Sequence, residues 1–472
     1  MKHVFTAVHA LLLFGCVARP PELMLSKVTS MAPANWSTTE QATSGVDSNW
    51  VRRFGDQELS TMVDEALKAN HQIHIAAERV FRALEAARVA GALTRPQLAL
   101  SSDGDRRKTQ FIGFPFGGSV ISESYGVDLK IDWEPDIWGR ARAEKSAAIA
   151  DWQAGGQDYR AARASLAAQV CKAWFALAEA NEQVELATQA VEIRQQTEQA
   201  VRERYERDMR DQGGSASQLR LSQTDHAKAK AELAAQRGNQ AAARRQLELL
   251  AARYPAGRLE GRTRLPEVSS MPPAGLPSEL LLRRPDIIAA ERRYAAAVKR
   301  IKEAKLAVFP SFKITGSAGT RTQALREIVN SDFGVWSIGA NILQPILTGG
   351  RVRGEIRLRK SSQREALALL HQKVLNAFGE VEQALSNELW IERREREVRE
   401  ARDFARDAAR AAEDDYRDGN GDVLTLFAAQ TSKIQLESQY AALRRLRLVN
   451  RVDLHLALGG GFEIEQKGNH HP

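Results

Sequence analysis

From residue 125 the chain alternates strictly: Tyr125, Val127, Leu129, Ile131 and Trp133 are separated by Gly126, Asp128, Lys130 and Asp132. A period of two puts the apolar residues in one row on one face of an extended strand. Trp336, Ile338, Ala340 and Ile342 repeat the pattern between Ser337, Gly339 and Asn341. A partner strand that follows a proline precedes each row, at residues 97–102 after Pro96 and 311–318 after Pro310. The pattern predicts two hairpins, four strands in all. Beyond each hairpin the apolar residues move to helical spacing, as at Leu166, Val170, Trp174, Leu177, Val184 and Val191, a coiled-coil-like seam. No proline interrupts the chain between Pro135 and Pro255 or between Pro345 and Pro472. A helix from Arg351 to Tyr416 would run for about 100 Å at ~1.5 Å per residue, longer than any globular domain needs. Gly213-Gly214 and Gly419-Asn420-Gly421 are the reversal signals, leading into returning helices over 217–253 and 422–458.

The halves resemble each other. Arg140 and Arg351, Ala173 and Ala384, and Tyr205 and Tyr416 are each 211 positions apart, and the two apolar rows start at the same offset, Tyr125 and Trp336. This reads as two copies of one unit: hairpin, long helix, turn, returning helix. The expected organisation is an extended segment at 16–53, a first repeat at 54–260 with its hairpin at 96–137 and helical hairpin at 140–253, and a linker at 261–277. A second repeat at 278–460 follows, with its hairpin at 310–346 and helical hairpin at 351–458, then a tail at 461–472.

Composition narrows the class. The chain has 472 residues, 43% hydrophobic and 27% charged, which excludes a disordered tail. A mean hydropathy of −0.39 with no apolar run of eighteen residues excludes a polytopic helical membrane protein but not a β-barrel. Two cysteines, Cys16 and Cys171, cannot form a disulfide framework, and no Cys/His cluster has zinc spacing. Cys171, on the apolar seam, is expected to be a buried free thiol. The net charge of +8 would suit nucleic acid, yet signs interleave in runs such as Ile391-Glu392-Arg393-Arg394-Glu395-Arg396-Glu397, the mark of a solvated helix face. No nucleophile, acid pair or metal set recurs, so neither an enzyme nor a cofactor is expected. Gly349-Gly350-Arg351 lacks the Lys-Ser/Thr of a phosphate loop and reads as a tight strand-to-helix junction.

The N-terminus begins with Lys2 and His3, continues with a mostly apolar stretch at 4–14, and reaches Cys16 after Gly15. This is the pattern of a signal peptide at 1–15 with a lipoprotein-type cleavage site, making Cys16 the acylated first residue of the mature chain. Val17 after the cysteine favours the outer membrane. Four strands cannot stand alone in a bilayer, because open edges leave backbone groups unpaired. Two copies would give eight strands and three would give twelve, both allowed barrel sizes. A coiled-coil envelope lipoprotein without channel activity is the alternative, and it does not account for the alternating strands.

One stretch is more specific. Leu276-Pro277-Ser278-Glu279-Leu280-Leu281-Leu282-Arg283-Arg284-Pro285-Asp286-Ile287 resembles the GLPSxLLxRRPDI motif of the TolC-like outer membrane efflux proteins, in particular the lipoproteins that serve resistance-nodulation-division pumps. Trp133-Glu134-Pro135-Asp136-Ile137-Trp138-Gly139-Arg140 and Pro345-Ile346-Leu347-Thr348-Gly349-Gly350-Arg351 are similar to that family's two strand-to-helix junctions. The resemblance, from about Phe54 to Gly460, implies an α+β membrane protein: a homotrimer with a twelve-stranded β-barrel, four strands per chain, continued by a twelve-helix periplasmic tunnel. It implies passive conduction, with a periplasmic adaptor and an inner-membrane pump as partners, outer membrane lipids around the barrel, and no nucleic acid. The helical turns at Gly213, Gly214, Gly419 and Gly421 would meet the adaptor. The gate would lie beside them, with Leu424 at the family's apolar ring position. Ala428 and Arg220 stand where acids are common, leaving Asp422 as the nearest acid. Arg283, Arg284 and Asp286 are read as organisers of the inter-repeat connection, with Pro285 starting a helix.

Overall fold

The computed structural model describes residues 32–33, 35–37, 50–111, 118–208, 215–268 and 271–460. In chain order the elements are α1 (Gln57–Ala69), α2 (His71–Ala92), β1 (Gln97–Phe111), β2 (Gly118–Trp133), α3 (Arg140–Asp208), α4 (Ala216–Leu250), α5 (Pro277–Arg283), α6 (Pro285–Leu306), β3 (Ser311–Thr322), β4 (Gly334–Leu343), α7 (Arg351–Arg417) and α8 (Val423–Ala457). Among the described residues no helix is long and apolar enough to cross a membrane. Cys16, the signal stretch at 1–15, Gly213, Gly214 and the tail at 461–472 lie outside the described residues.

Two compact units interleave along the chain. The first includes Arg79–Gly156 and Ala289–His371, and its centre is a four-stranded antiparallel sheet in the order β1-β2-β3-β4. All four strands form where alternation placed them, and all are longer than it predicted. Cross-strand partners share a face. The registers Leu98↔Ile131, Ile131↔Gly316 and Gly316↔Ile338 make one row, and Leu100↔Leu129, Leu129↔Ala318 and Ala318↔Trp336 make the next. These rows form one apolar face that is open in the single chain, with Trp336 78% exposed and Ile338 77%. The opposite face is polar and cross-linked. Arg321 on β3 reaches Asp103 on β1 (3.2 Å) and Asp128 on β2 (3.3 Å), and Lys313 pairs with Asp132 (2.7 Å).

The extra length has a physical reason. The β1–β2 ladder continues to Phe111↔Gly118, whereas β3 stops pairing with β2 at Tyr125↔Thr322. In the extended ribbon the outward positions carry Arg106 and Glu123, ion-paired at 2.9 Å, in place of apolar residues, so apolar alternation fades while the backbone ladder persists.

Below the sheet each hairpin turns into a helix. Asp136 caps the start of α3, accepting the N–H groups of Ala141 (3.1 Å) and Arg142 (2.8 Å) and the Nε of Arg142 (3.1 Å). Gly139 holds φ +85° at that turn, and Gly349 and Gly350 hold +59° and +86° at the start of α7, positions that favour glycine.

The second unit includes Gln157–Ile288 and Gln372–Pro472. Its core packs Leu166, Val170, Phe175 and Leu177 of α3 with Leu59 and Val63 of α1, Trp50, Leu247 of α4 and Leu448 and Val452 of α8. Cys171 is fully buried there as a free cysteine, and burial pushes its thiol far above the usual range. The apolar spacing from 166 to 177 is therefore core.

Candidate functional site

The turn between α7 and α8 is tightly built. The amides of Asn420 and Gly421 both donate to the Asp415 carbonyl at 2.9 Å, and Gly419 takes φ +81°. A β-carbon on Gly421 would stand 2.8 Å from the Tyr416 nitrogen, so the glycine is set by close approach. Asp422 is the N-cap of α8, its carboxylate accepting the Leu424 N–H at 3.1 Å. The candidate acid therefore starts a helix as well as facing solvent.

From that start the first turns of α8 divide into two faces. Val423, Leu426 and Phe427 point inward, where Val423 and Phe427 pack with Val201 of α3 against Leu219 and Tyr416. Leu424 is left 55% exposed, and Ala428 is also exposed. Arg220 lies exposed on α4, donating to Gln223 Oε1 at 3.1 Å. Leu424, Ala428 and Asp422 thus share the beginning of one helix. A large apolar side chain held out by a buried cluster on the other face of its own helix is what a contact with another chain requires.

Sequence reasoning missed the arginine that ties this region together. Arg194 of α3 is nearly buried and spans to α8, donating through Nη1 to Gln430 (2.9 Å) and through Nη2 to the Thr431 hydroxyl (2.6 Å), with the Phe427 ring 5.6 Å from its guanidinium carbon. Burial lowers its pKa, with Asp225 opposing. One turn on, Glu198 accepts from Arg202 and meets Nδ1 of His226 on α4 at 2.6 Å in each case. The His226 hydrogen bond is the main reason its carboxyl sits below the usual carboxylate range. Glu248 at the far end of α4 was also missed; it accepts three backbone N–H groups, from Gly257, Arg258 and Leu259, at 2.7–3.0 Å.

The Arg-Arg-Pro-Asp motif forms a second constellation. Pro285 opens α6 with Asp286 in its first turn. Arg284, 8% exposed, grips both carboxylate oxygens of Asp286 (3.0 and 2.9 Å). Its Nη1 donates to Glu380 of α7 (2.5 Å) and to the carbonyl of Ala457 at the end of α8 (3.1 Å). Arg283 pairs with Glu279 at 2.7 Å instead. The motif therefore fastens the α5–α6 joint to two long helices, a structural role.

Comparisons with known proteins agree with this architecture. The outer membrane efflux protein family matches residues 62–253 and 276–460. A pyoverdine export outer membrane protein, OpmQ, of Pseudomonas putida is 28% identical over 491 residues, covering 98% of each chain. The cation efflux system protein CusC of Escherichia coli is 26% identical over 468 residues, covering 96% of this chain and 98% of its own. Among solved structures, the outer-membrane channel OprN superposes with a TM-score of 0.84 at 26% identity, over 94% of this chain and 100% of that one. With the strands, the helices and the Arg-Arg-Pro-Asp joint all in place, the chain belongs to the outer membrane efflux protein family of TolC-like channels and is an outer membrane factor of an efflux system.

Proposed function

We propose that three copies of this chain close one twelve-stranded barrel and serve as the passive exit duct of a tripartite pump, receiving cargo from a periplasmic adaptor and an inner-membrane transporter. The observation that carries this reading is the sheet: one open apolar face, one polar face, and two edge strands, β1 and β4, with no outer neighbour among the described residues. In hydrocarbon each unpaired backbone group costs several kcal/mol, so the edges need partners, and pairing β4 of one copy with β1 of the next provides them. The polar face then lines water. Three copies in place of two is the number the family resemblance supplies, whereas the division into repeats at 54–260 and 278–460 rests on the 211-residue offset within the chain. Mass measurement in mild detergent tests the closure; a stable folded monomer in lipid would refute it. The relatives' names point to pyoverdine in one case and to cations in another.

The proposed gate is a ring of three Leu424 side chains at the helical turns, with the adaptor docking near Gly213, Gly214, Gly419 and Gly421. Leu424→Ala is expected to raise single-channel conductance in planar bilayers. Ala428 and Arg220 replace acids in the family pattern, so the wild-type pore is expected to prefer cations only weakly. A strong cation preference abolished by Asp422→Asn would assign the missing acidic ring to Asp422, and unchanged conductance in Leu424→Ala would remove Leu424 from the gate. Cys16 is the proposed acylation site. Palmitate label is expected in wild type and absent from Cys16→Ser; equal labelling refutes the assignment.

A further inference from the structure

At the foot of the sheet lies a pocket of about 240 Å³, whose lining includes Trp138, Phe309, Phe312, Leu343, Pro345 and Arg351. Trp138 stacks on Phe309 with ring centres 5.1 Å apart and donates its indole N–H to the Pro310 carbonyl at 2.8 Å, so the aromatic wall is fixed. Phe312↔Ile342, on β3 and β4 alone, is the last pair of the open apolar face, and Ser311↔Leu343 closes the ladder beneath it. The apolar surface runs on past the pocket through Ile346 and Leu347, 92% and 94% exposed.

The charges around the pocket are unevenly matched. Glu134 is taken by Arg140 at 2.9 Å, and Asp136 by Arg142 and the first amides of α3. Arg351 has no side-chain partner among the described residues, and neither do the exposed Arg353 and Arg357 that follow it. The first turn of α7 contains no acid, although cations are disfavoured at the positive end of a helix. The two junctions differ at one telling position: 211 residues after Asp136, which neutralises the start of α3, stands Leu347. The second junction thus combines an apolar wall, continuous with the open apolar face of the sheet, with an arginine that has no side-chain partner among the described residues.

We propose that this pocket binds an anionic phospholipid of the periplasmic leaflet, its phosphodiester on Arg351 and its glycerol and chains along Phe312, Pro345 and Ile346. The assignment rests on the reading that the apolar face of the sheet meets the bilayer. Tryptophan at the boundary and basic side chains at headgroup depth are the chemistry that recognises such a lipid.

The test is native mass spectrometry of the full-length protein purified in dodecyl maltoside and titrated with phosphatidylglycerol or phosphatidylcholine. Wild type should retain one phosphatidylglycerol per chain in preference to phosphatidylcholine. Arg351→Gln should weaken that binding about fivefold, and Arg351→Lys should keep most of it. Leu347→Asp, which gives the second junction the acid of the first, should also release the lipid. Equal retention by wild type and Arg351→Gln overturns the proposal, as does equal binding of the two lipids. Displacement of phosphatidylglycerol by millimolar inorganic phosphate overturns it too, by showing a free-anion site. Single-channel conductance of the same preparations is read separately: no channels from wild type would refute the duct, whereas conducting variants with unchanged lipid binding refute only the lipid site.

Discussion

Gly319→Val should abolish the folded, membrane-inserted form. Gly319 pairs with Asp128 at the seam between β2 and β3. A β-carbon there would stand 1.9 Å from the Val127 carbonyl oxygen and 2.8 Å from the Asp128 Cα. Both obstacles are backbone, so no rotamer relieves the clash, and the strands would have to separate where Arg321 ties three of them together. Folded protein in outer membrane fractions, resolved by electrophoresis without boiling, should fall at least about tenfold, as overpacking that moves backbone costs ~1–3 kcal/mol or more. Gly354→Ala is the control. Nothing lies within 4 Å of its added carbon, and alanine in a helix is better by about 0.5–1 kcal/mol. Folded protein at wild-type level in Gly319→Val would mean that the seam is not as close as described.

Arg284→Ala should lower the melting temperature by several degrees at neutral pH, corresponding to about 3 kcal/mol. That is the low end for removing one partner of a buried ion pair, chosen because Glu380 is half exposed. Arg284→Lys should recover only part of the loss, since an ammonium cannot hold both oxygens of Asp286 in a fork. The effect should depend on pH with a definite sign. Burial pushes Asp286 toward its neutral form, but the hydrogen bonds and charge of Arg284 outweigh that and hold its carboxyl below the usual range. A depressed carboxyl stabilises the fold above its unfolded pKa of ~3.9, and the benefit is lost as pH falls through the folded value. The gap between wild type and Arg284→Ala should therefore be widest near neutrality and shrink below about pH 4. A gap that stays constant down to pH 3 would assign the stabilisation to packing of the arginine stem.

What could be read from the sequence was what repeats at short range. The row from Tyr125 to Trp133 announced a strand because strand period is local, and the long helices showed in the absence of proline. Arg284 and Asp286 were legible as a joint because both sit in one motif. The ribbon beyond Ser102 was not, because its outward positions turn polar while its backbone ladder continues. Arg194 left no signal at all: its partners Gln430 and Thr431 lie 236 and 237 residues away on another helix. Asp422 could be found but its role could not, since a cap is defined by the residue at which the helix begins. Leu424 was placed by its distance from Tyr416, and its exposure follows from the burial of Val423, Leu426 and Phe427 on the other face of the same turns.

The seam between β2 and β3 also dictates when the sheet can exist. Each hairpin is local, but the bond between them joins Trp133 to Ile314 and Tyr125 to Thr322. The 177 residues between Trp133 and Ser311 must cross the inner membrane after β2 before its second neighbour emerges. Until then an apolar ribbon with an unpaired edge waits in the periplasm, the kind of intermediate that aggregates unless it is chaperoned. Pairing at such separation is slow because loop closure must precede any gain in contacts. Biogenesis of this protein is therefore expected to be post-translocational, limited by that one seam, and more sensitive to the supply of periplasmic holdases than to the stability of the finished channel.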